Sequence, residues 1–442
     1  LVVCVFVLFL ILGVSVKGAT FTCNSCEDCS QKIQSASSGD TILLTTDITN
    51  YEGLNDSTDA GESCIKFGGA DNITFDCGGH TISGDNDNYG YGIWLNDSDS
   101  GSNNNVIRNC VNVSYFMDGI YIRYSDNNTL TNITTNTNYD GLDLSYSDNN
   151  TLTNITANSN QYYGLYLHYS NNNTLRNITI TTNESESQGG LYAEGSSSYR
   201  NDIDTSVTVD GKPVLYYDGY YNPCPNNQIL DYNNTYAQVA FVTCDNVTLY
   251  ATDMIDSVYL FYTHNSRLYN INSSYNLVGI RIYDSHNNTL TNITTNTNQY
   301  YGLDLSYSDN NTLTNITANT NQQHGLYLYS SDNNTLTNIT ANSNQDNGLY
   351  MYRSHQNIFT NIASSYNDNG LYLYYSNSSV FTDVLTEHNT DAGVELMHSN
   401  FNSITRLTSR YNSYGIFFIS WFSSDHTTKN NTLNDSVIEN NT

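Results

Sequence analysis

Gly164-Leu-Tyr-Leu-His-Tyr-Ser-Asn-Asn-Asn-Thr-Leu-Arg-Asn-Ile-Thr179 is one copy of a block of about 23 residues that returns at least eleven times. Its glycine recurs at 119, 141, 164, 190, 279, 302, 325, 348, 370, 393 and 415. A fixed period of this length makes each block one supersecondary unit that buries its apolar side only by stacking on its neighbours. Leu165 and Leu167 alternate with Tyr166 and His168, the period-two pattern of a half-buried strand. The three-residue step from Leu175 to Ile178 interrupts that alternation, so a bend separates two short strands. A leucine-rich repeat would need L-x-x-L-x-L-x-x-N and a helical half, and neither is present. The pattern predicts an all-β solenoid, a parallel β-helix with coils of about 22–24 residues. Some 15 coils at a strand spacing of ~4.8 Å would make a continuous rod of roughly 70 Å.

The 442 residues carry 43 acids against 14 bases, a formal net charge of −29. Such a polyanion repels nucleic-acid phosphates and anionic membranes. Cations and neutral sugars are the compatible partners, and salt would screen the self-repulsion. Residues 1–19 read as a signal peptide: an apolar run from Leu1 to Leu12 ends near Lys17-Gly18-Ala19. Export makes the eight remaining cysteines candidates for disulfides rather than metal ligands. Pairings among Cys23, Cys26, Cys29, Cys64, Cys77 and Cys110 stay open, whereas Cys224 and Cys244 are isolated together and are expected to pair.

Residues 20–59 read as an N-terminal cap, with a short helix near Ser30–Ser37 and a strand at Thr41. Coils follow over 60–205. Residues 206–245 break the period, hold all three prolines, and read as a bridged insertion. Coils resume over 246–442, where the text stops within a repeat, so the C-terminus reads as truncated.

Two asparagine columns stand out. Asn132, Asn154, Asn177, Asn292, Asn315 and Asn338 precede the second apolar strand. Their amides are expected to hydrogen-bond from coil to coil inside the stack. Asn127, Asn149, Asn172, Asn287, Asn310 and Asn333 lie in the S-D-N-N-T turn, face solvent, and begin N-x-T sequons, so they are the glycosylation candidates.

Outward positions after each glycine form a tyrosine-rich strip that includes Tyr121, Tyr166, Tyr327, Tyr350 and Tyr372. Apolar rings with hydroxyl tips suit neutral hydroxylated ligands, so this strip is the carbohydrate-binding candidate; packing between coils is its competing use. Asp118, Asp140 and Asp143 fall on two successive coils, where close carboxylates can share a proton, hold a cation or act as an acid/base pair. Arg123 is placed to neutralise Asp143, as Arg281 is for Asp304. Gly84-Asp-Asn-Asp-Asn-Tyr-Gly90 has a faint Ca²⁺-loop character that Tyr89 and Asn96 spoil. No other cofactor or metal site is indicated.

Asn72-Ile-Thr-Phe-Asp-Cys-Gly-Gly-His-Thr-Ile82, the Y-G-L-Y-L and N-N-T-L-T-N-I-T coils, and the segments Val209–Tyr217 and Gln238–Val247 resemble the NosD-type right-handed β-helix family. The resemblance covers most of the mature chain and implies a right-handed parallel β-helix on an exported or surface protein, here of archaeal style. The family it points to includes carbohydrate-binding proteins, sugar hydrolases and epimerases, and a periplasmic factor for copper-enzyme maturation. This chain departs from the copper branch, with scattered histidines and only Met117, Met254, Met351 and Met397. It also lacks the Gly-His-Gly and Asp-Pro-His-Asp signatures of pectin- and alginate-active relatives. The expectation is a secreted or cell-surface structural or adhesive protein binding carbohydrate. A polysaccharide lyase, hydrolase or epimerase using the three aspartates is the alternative, and a copper-maturation factor the second.

Overall fold

The computed structural model describes residues 18–441 apart from 53–62, 86–89, 97–100, 183–188, 195–199, 232–234, 251–256 and 421–427. Nearly all of the expected signal peptide, and the centre of the Gly84–Gly90 stretch, lie outside the described residues. The cap helix spans Cys26–Ser35, about a turn earlier than expected, because Ser25 takes the N-cap and its hydroxyl accepts the Asp28 N–H. Ile33 is buried beneath it, and Thr41–Leu44 pairs in parallel with Thr20–Cys23. Disulfides Cys23–Cys29 and Cys26–Cys64 fasten this cap to the first coil, Cys77–Cys110 joins two further coils, and Cys224 bonds Cys244.

Each coil contributes one strand to each of two parallel sheets. Sheet 1 includes Thr129–Asn136, Thr151–Asn158 and Thr174–Thr181; sheet 2 includes Asp118–Arg123, Asp140–Ser145, Tyr163–His168 and Gly189–Glu194. Register is residue for residue, so Leu142 lies over Leu165 and Leu144 over Leu167, all buried. In sheet 1 the bend between Leu152 and Ile155 is Asn154 itself, whose φ of 56° is left-handed. Asparagine tolerates that region better than other non-glycine residues, which turns both flanking apolar side chains inward.

The Asn132, Asn154 and Asn177 amides do form a ladder, with Nδ2 of each donating to Oδ1 of the preceding one at 3.1–3.3 Å. That ladder is exposed, not internal. Its neighbours in sequence do the internal work. Asn128 accepts the buried Asn105 N–H through Oδ1, Asn150 accepts that of Asn128, and Asn173 that of Asn150, each at 2.8 Å. Asn288, Asn311, Asn334 and Asn357 repeat the pattern at 2.7–2.8 Å. Serines 125, 147 and 170, and asparagines 298, 321 and 344, form two more internal columns. Bent backbone cannot satisfy its own N–H groups, so each corner borrows an oxygen from the next coil.

The stack is not one continuous rod. At Val209-Asp-Gly-Lys212 the left-handed φ values of Asp210 (48°) and Gly211 (77°) make a two-residue hairpin, and Thr208 pairs with Pro213 in antiparallel register. Residues 206–245, expected as an insertion, therefore also supply coil strands: Lys212–Tyr217 pairs in parallel with Gln238–Val242. This begins sheet 3, which continues through Val258–Phe261, Ile280–Tyr283, Leu303–Ser306, Leu326–Tyr329, Leu349–Tyr352 and Leu371–Tyr374. The polarity reversal also exchanges inside and outside. Val214, Tyr216 and Ala240 stay with the first apolar core, whereas Leu215, Val239 and Phe241 open a second. The molecule thus has two coil stacks, a first arm before Gly211 and a second after it.

The internal asparagines should matter more to stability than their exposed neighbours. Asn311→Ala strips partners from the Asn288 N–H and the Ser285 carbonyl. An unpaired buried group costs about 1–3 kcal/mol, so urea denaturation should show a loss of this order or more. Asn310→Gly keeps the left-handed turn (φ 58°) and should change stability by less than about 0.5 kcal/mol. Equal effects would sink the assignment of inside and outside.

Candidate functional site

In sheets 2 and 3 the outward side chains stack coil on coil in strict register. On the first arm the column runs Trp94, Tyr121, Asp143, Tyr166, Tyr192. On the second it runs Tyr259, Arg281, Asp304, Tyr327, Tyr350, Tyr372, Glu395. All five tyrosines singled out from the sequence lie on these columns and are half-buried. Ring centroids of Tyr166 and Tyr192 are 5.5 Å apart, those of Tyr327 and Tyr350 5.5 Å, and those of Tyr350 and Tyr372 5.2 Å. Stacking consumes much of the ring faces, so what the strip offers outward is ring edge and phenol hydroxyl.

The two columns meet. Tyr192 packs edge-on against Tyr259 (5.4 Å) and Phe261 (6.1 Å), and Tyr162 against Tyr300 (5.9 Å). Arg281 donates to the Tyr192 hydroxyl, lies 5.2 Å over its ring, and pairs through Nε with Asp304 at 2.9 Å. Gln238 closes the open edge of sheet 2, its Nε2 donating to the Leu191 carbonyl and its Oε1 accepting the Leu191 N–H. From this shared contact the strip of each arm leads away, with Tyr166 one coil from Tyr192 on the first and Tyr327 two coils from Arg281 on the second. Sequence reasoning placed Tyr192 on the outward strip but missed this meeting, which buries it, and the residues that join it there, Tyr163, Tyr259 and Tyr300.

Asp118 and Asp140 are cross-strand partners, only 4% and 7% exposed, with Asp143 on the same coil as Asp140. Asp140 accepts the Tyr163 N–H at 2.7 Å and Asp143 the Ser145 hydroxyl at 2.7 Å. Burial, then the neighbouring charges of Asp143 and Asp140, hold the Asp118 carboxyl well above the usual carboxylate range. Burial also pushes Asp140 to about 7, against the pull of the Tyr163 bond and with help from Asp143. Tyr91, 4.5 Å from Tyr121, is pushed to about 12 by burial and by Asp118 and Asp143. Arg123 lies over the Tyr124 ring at 5.0 Å; the expected partnership of Arg281 with Asp304 forms. Further out on the second arm, burial and then Asp391 and Asp368 push Glu395 to about 7. His324 stacks on Tyr301 at 5.4 Å, and burial lowers its imidazole to about 4. Neither residue was singled out in advance.

The glycosylation candidates Asn127, Asn149, Asn172, Asn287, Asn310 and Asn333 are all exposed, and Asn172 accepts the Tyr221 hydroxyl of the second arm at 3.1 Å. No helix among the described residues is long and apolar enough to cross a membrane.

Two family models match the sequence. Right handed beta helix region covers residues 54–208 and 306–442, and Periplasmic copper-binding protein (NosD) covers 205–346. No curated protein matches. Among solved structures, the periplasmic alginate epimerase AlgG aligns with a TM-score of 0.40 at 13% identity, covering 72% of this chain and 76% of that one. The A-module of the Azotobacter vinelandii mannuronan C-5 epimerase AlgE6 gives 0.39 at 11%, covering 94% and 95%. An alginate lyase from Paenibacillus sp. gives 0.26 at 11%, covering 90% and 97%. At these values the likeness carries no argument about chemistry. The donor set does not fit copper: every described cysteine is in a disulfide, Met351 is buried in the second core, and no three His, Cys, Asp or Glu converge among the described residues. Four disulfides and a periplasmic family model accord with an extracytoplasmic chain. Coil register and family match agree, and the chain belongs to the right-handed parallel β-helix family, in its NosD-type branch.

Proposed function

We propose that this is an exported cell-surface protein, structural or adhesive in role, that binds neutral carbohydrate in the corner where its two tyrosine columns meet. The observation that carries the reading is that meeting: the tyrosine columns of two sheets come together at Tyr192, Tyr259 and Arg281, with half-buried Tyr166 one coil away on one side and Tyr327 two coils away on the other. Amphipathic aromatics there can cover sugar C–H groups while their hydroxyls bond the ligand rim. A net charge of −29 argues against polyanionic ligands and leaves neutral glycans as the matching class. The exposed turn asparagines, from Asn127 to Asn333, are where glycans would be carried, and no resident cofactor is required. Glycan-array binding should fall about tenfold, on the order of 1.4 kcal/mol, in Tyr166→Ala and Tyr350→Ala, with no turnover of the bound sugar. Absence of any glycan binding by the wild type would leave only a structural role.

A second reading has an observation of its own. Asp118, whose buried carboxyl is held above the usual carboxylate range, lies across from Asp140, the arrangement in which one carboxyl can donate and the other accept. Polysaccharide cleavage or epimerisation abolished by Asp140→Asn would favour a lyase, hydrolase or epimerase. The same groups make a pH prediction independent of ligand. Asp140 keeps its proton in the folded chain up to about pH 7, whereas the unfolded chain releases it near its ordinary value of 3.8. Folded protein therefore binds more protons across that interval, and stability should decline as pH rises from about 4 to 7. Asp140→Asn, whose amide oxygen can still accept the Tyr163 N–H, should flatten this slope in thermal melts; an unchanged slope would contradict the assignment.

A further inference from the structure

Between coils, certain side chains accept the backbone N–H of the coil that follows. In the first arm Asn103, Asp126 and Asp148 do this at 2.6–2.7 Å. In the second arm imidazoles take over part of the work. His264 Nδ1 accepts the His286 N–H at 2.9 Å, His286 Nδ1 that of Asp309 at 2.9 Å, and His355 Nδ1 that of Asn377 at 3.0 Å. On the tyrosine side His324 Nδ1 accepts the Asn347 N–H at 3.3 Å. Asp309, Asp332 and Asn377 fill the remaining posts of that first column at 2.6–2.7 Å.

The chemistry of these acceptors differs in acid. A carboxyl that gains a proton keeps a carbonyl oxygen, and an amide does not titrate. An imidazole accepts at Nδ1 only while that nitrogen is bare, and protonation turns it into a second donor facing a donor. We propose that His264 and His324 make the second arm an acid-sensitive segment, whose bonds to the His286 and Asn347 amides release on protonation while the inter-coil bonds of the first arm persist. His324 lies between Tyr301 (5.4 Å) and Tyr350 (4.8 Å), so its release would loosen the proposed sugar corner itself. That last consequence rests on the carbohydrate reading; the acid sensitivity does not.

The surroundings set the sense of the effect. His264 faces His286, stacked at 5.2 Å, with Asp284 and Asp245 nearby, and burial with the second imidazole outweighs both carboxylates to lower it. His286 donates from Nε2 to Asp284 at 3.2 Å, which fixes the tautomer with bare Nδ1. His324 has Asp346 at 4.0 Å and tyrosines 301, 327 and 350 around it, and burial dominates. His355 donates its own N–H to Asp332. Imidazoles held below their ordinary 6.5 contribute stability that is full above that value and is lost as pH falls towards the folded value, about 4 for His324.

Hydrogen exchange of the intact, ligand-free protein at pH 7 and pH 5, corrected for intrinsic rates, tests this. Protection of the His286 and Asn347 amides should drop roughly tenfold or more, while that of Asp148, Asn171 and Asn400 holds. Combined His264→Asn, His286→Asn and His324→Asn, which installs the acceptor used at 103 and 377, should abolish the drop. Uniform loss in both arms, no loss in the second, or a variant that still loses protection would overturn the proposal. Glycan binding at the two pH values is a separate readout, so its failure would count against the sugar corner and not against the ladder.

Discussion

Every coil of this chain must turn two or three sharp corners, and each corner leaves backbone N–H groups that no partner in the same coil can reach. Serine hydroxyls and asparagine oxygens from the next coil meet that need, as Asn311 does for Asn288 and Ser308 for Ser285. The requirement is one-sided: an unmade buried bond costs more than a made one contributes. It explains why so polar a sequence, with charged residues at only 13%, still folds around two cores rich in leucine and isoleucine. It also explains the period. A ladder works only if the same residue type returns at the same place, so the repeat in the text is the imprint of the hydrogen-bond columns as much as of the core.

The same constraint governs how the arms join. An antiparallel hairpin at Asp210-Gly211 preserves main-chain pairing across the junction while exchanging the face that is buried. Val209 points into the first core, and Val214 and Tyr216 beyond the turn still do, so the outer side of sheet 3 is fastened to the first arm. Outward columns of two sheets are thereby brought together at Tyr192, Tyr259 and Arg281. A single straight solenoid would present one flat strip. The hairpin makes a corner with two flanks, and the candidate site exists because of it.

Much of this was legible, and the limits were physical. Period-two alternation told Leu165 from Tyr166 correctly, because burial on one face of a strand is a local pattern. The asparagines were harder, since Asn127 and Asn128 are adjacent and identical. Only the left-handed φ of Asn127 (59°) sends the second one inward, and nothing in composition marks that. The exposed Asn132 column was mistaken for an internal one for the same reason. The hairpin signal was in view, as Asp-Gly between β-formers, but prolines at 213, 223 and 225 disguised it as an insertion. Contacts such as Tyr162 with Tyr300 join residues far apart in sequence, and no periodicity encodes them.

What the corner contains is costly to keep. Asp118 and Asp140 are buried side by side, and a half-buried Arg281 pairs with the buried Asp304. A buried ion pair is commonly matched or bettered in stability by apolar residues of similar volume, and a buried carboxyl beside another is worse still. Other coils show the cheaper solution at the register position of Arg281 and Asp304, where Tyr327, Tyr350 and Tyr372 stack without any charge to desolvate. Ladder stabilisation alone would favour tyrosine throughout. Ionisable groups nevertheless persist on these columns at Asp143, Arg281, Asp304 and Glu395, where a ligand or a reaction could repay their cost. That cost sets these positions apart from the rest of an otherwise repetitive surface.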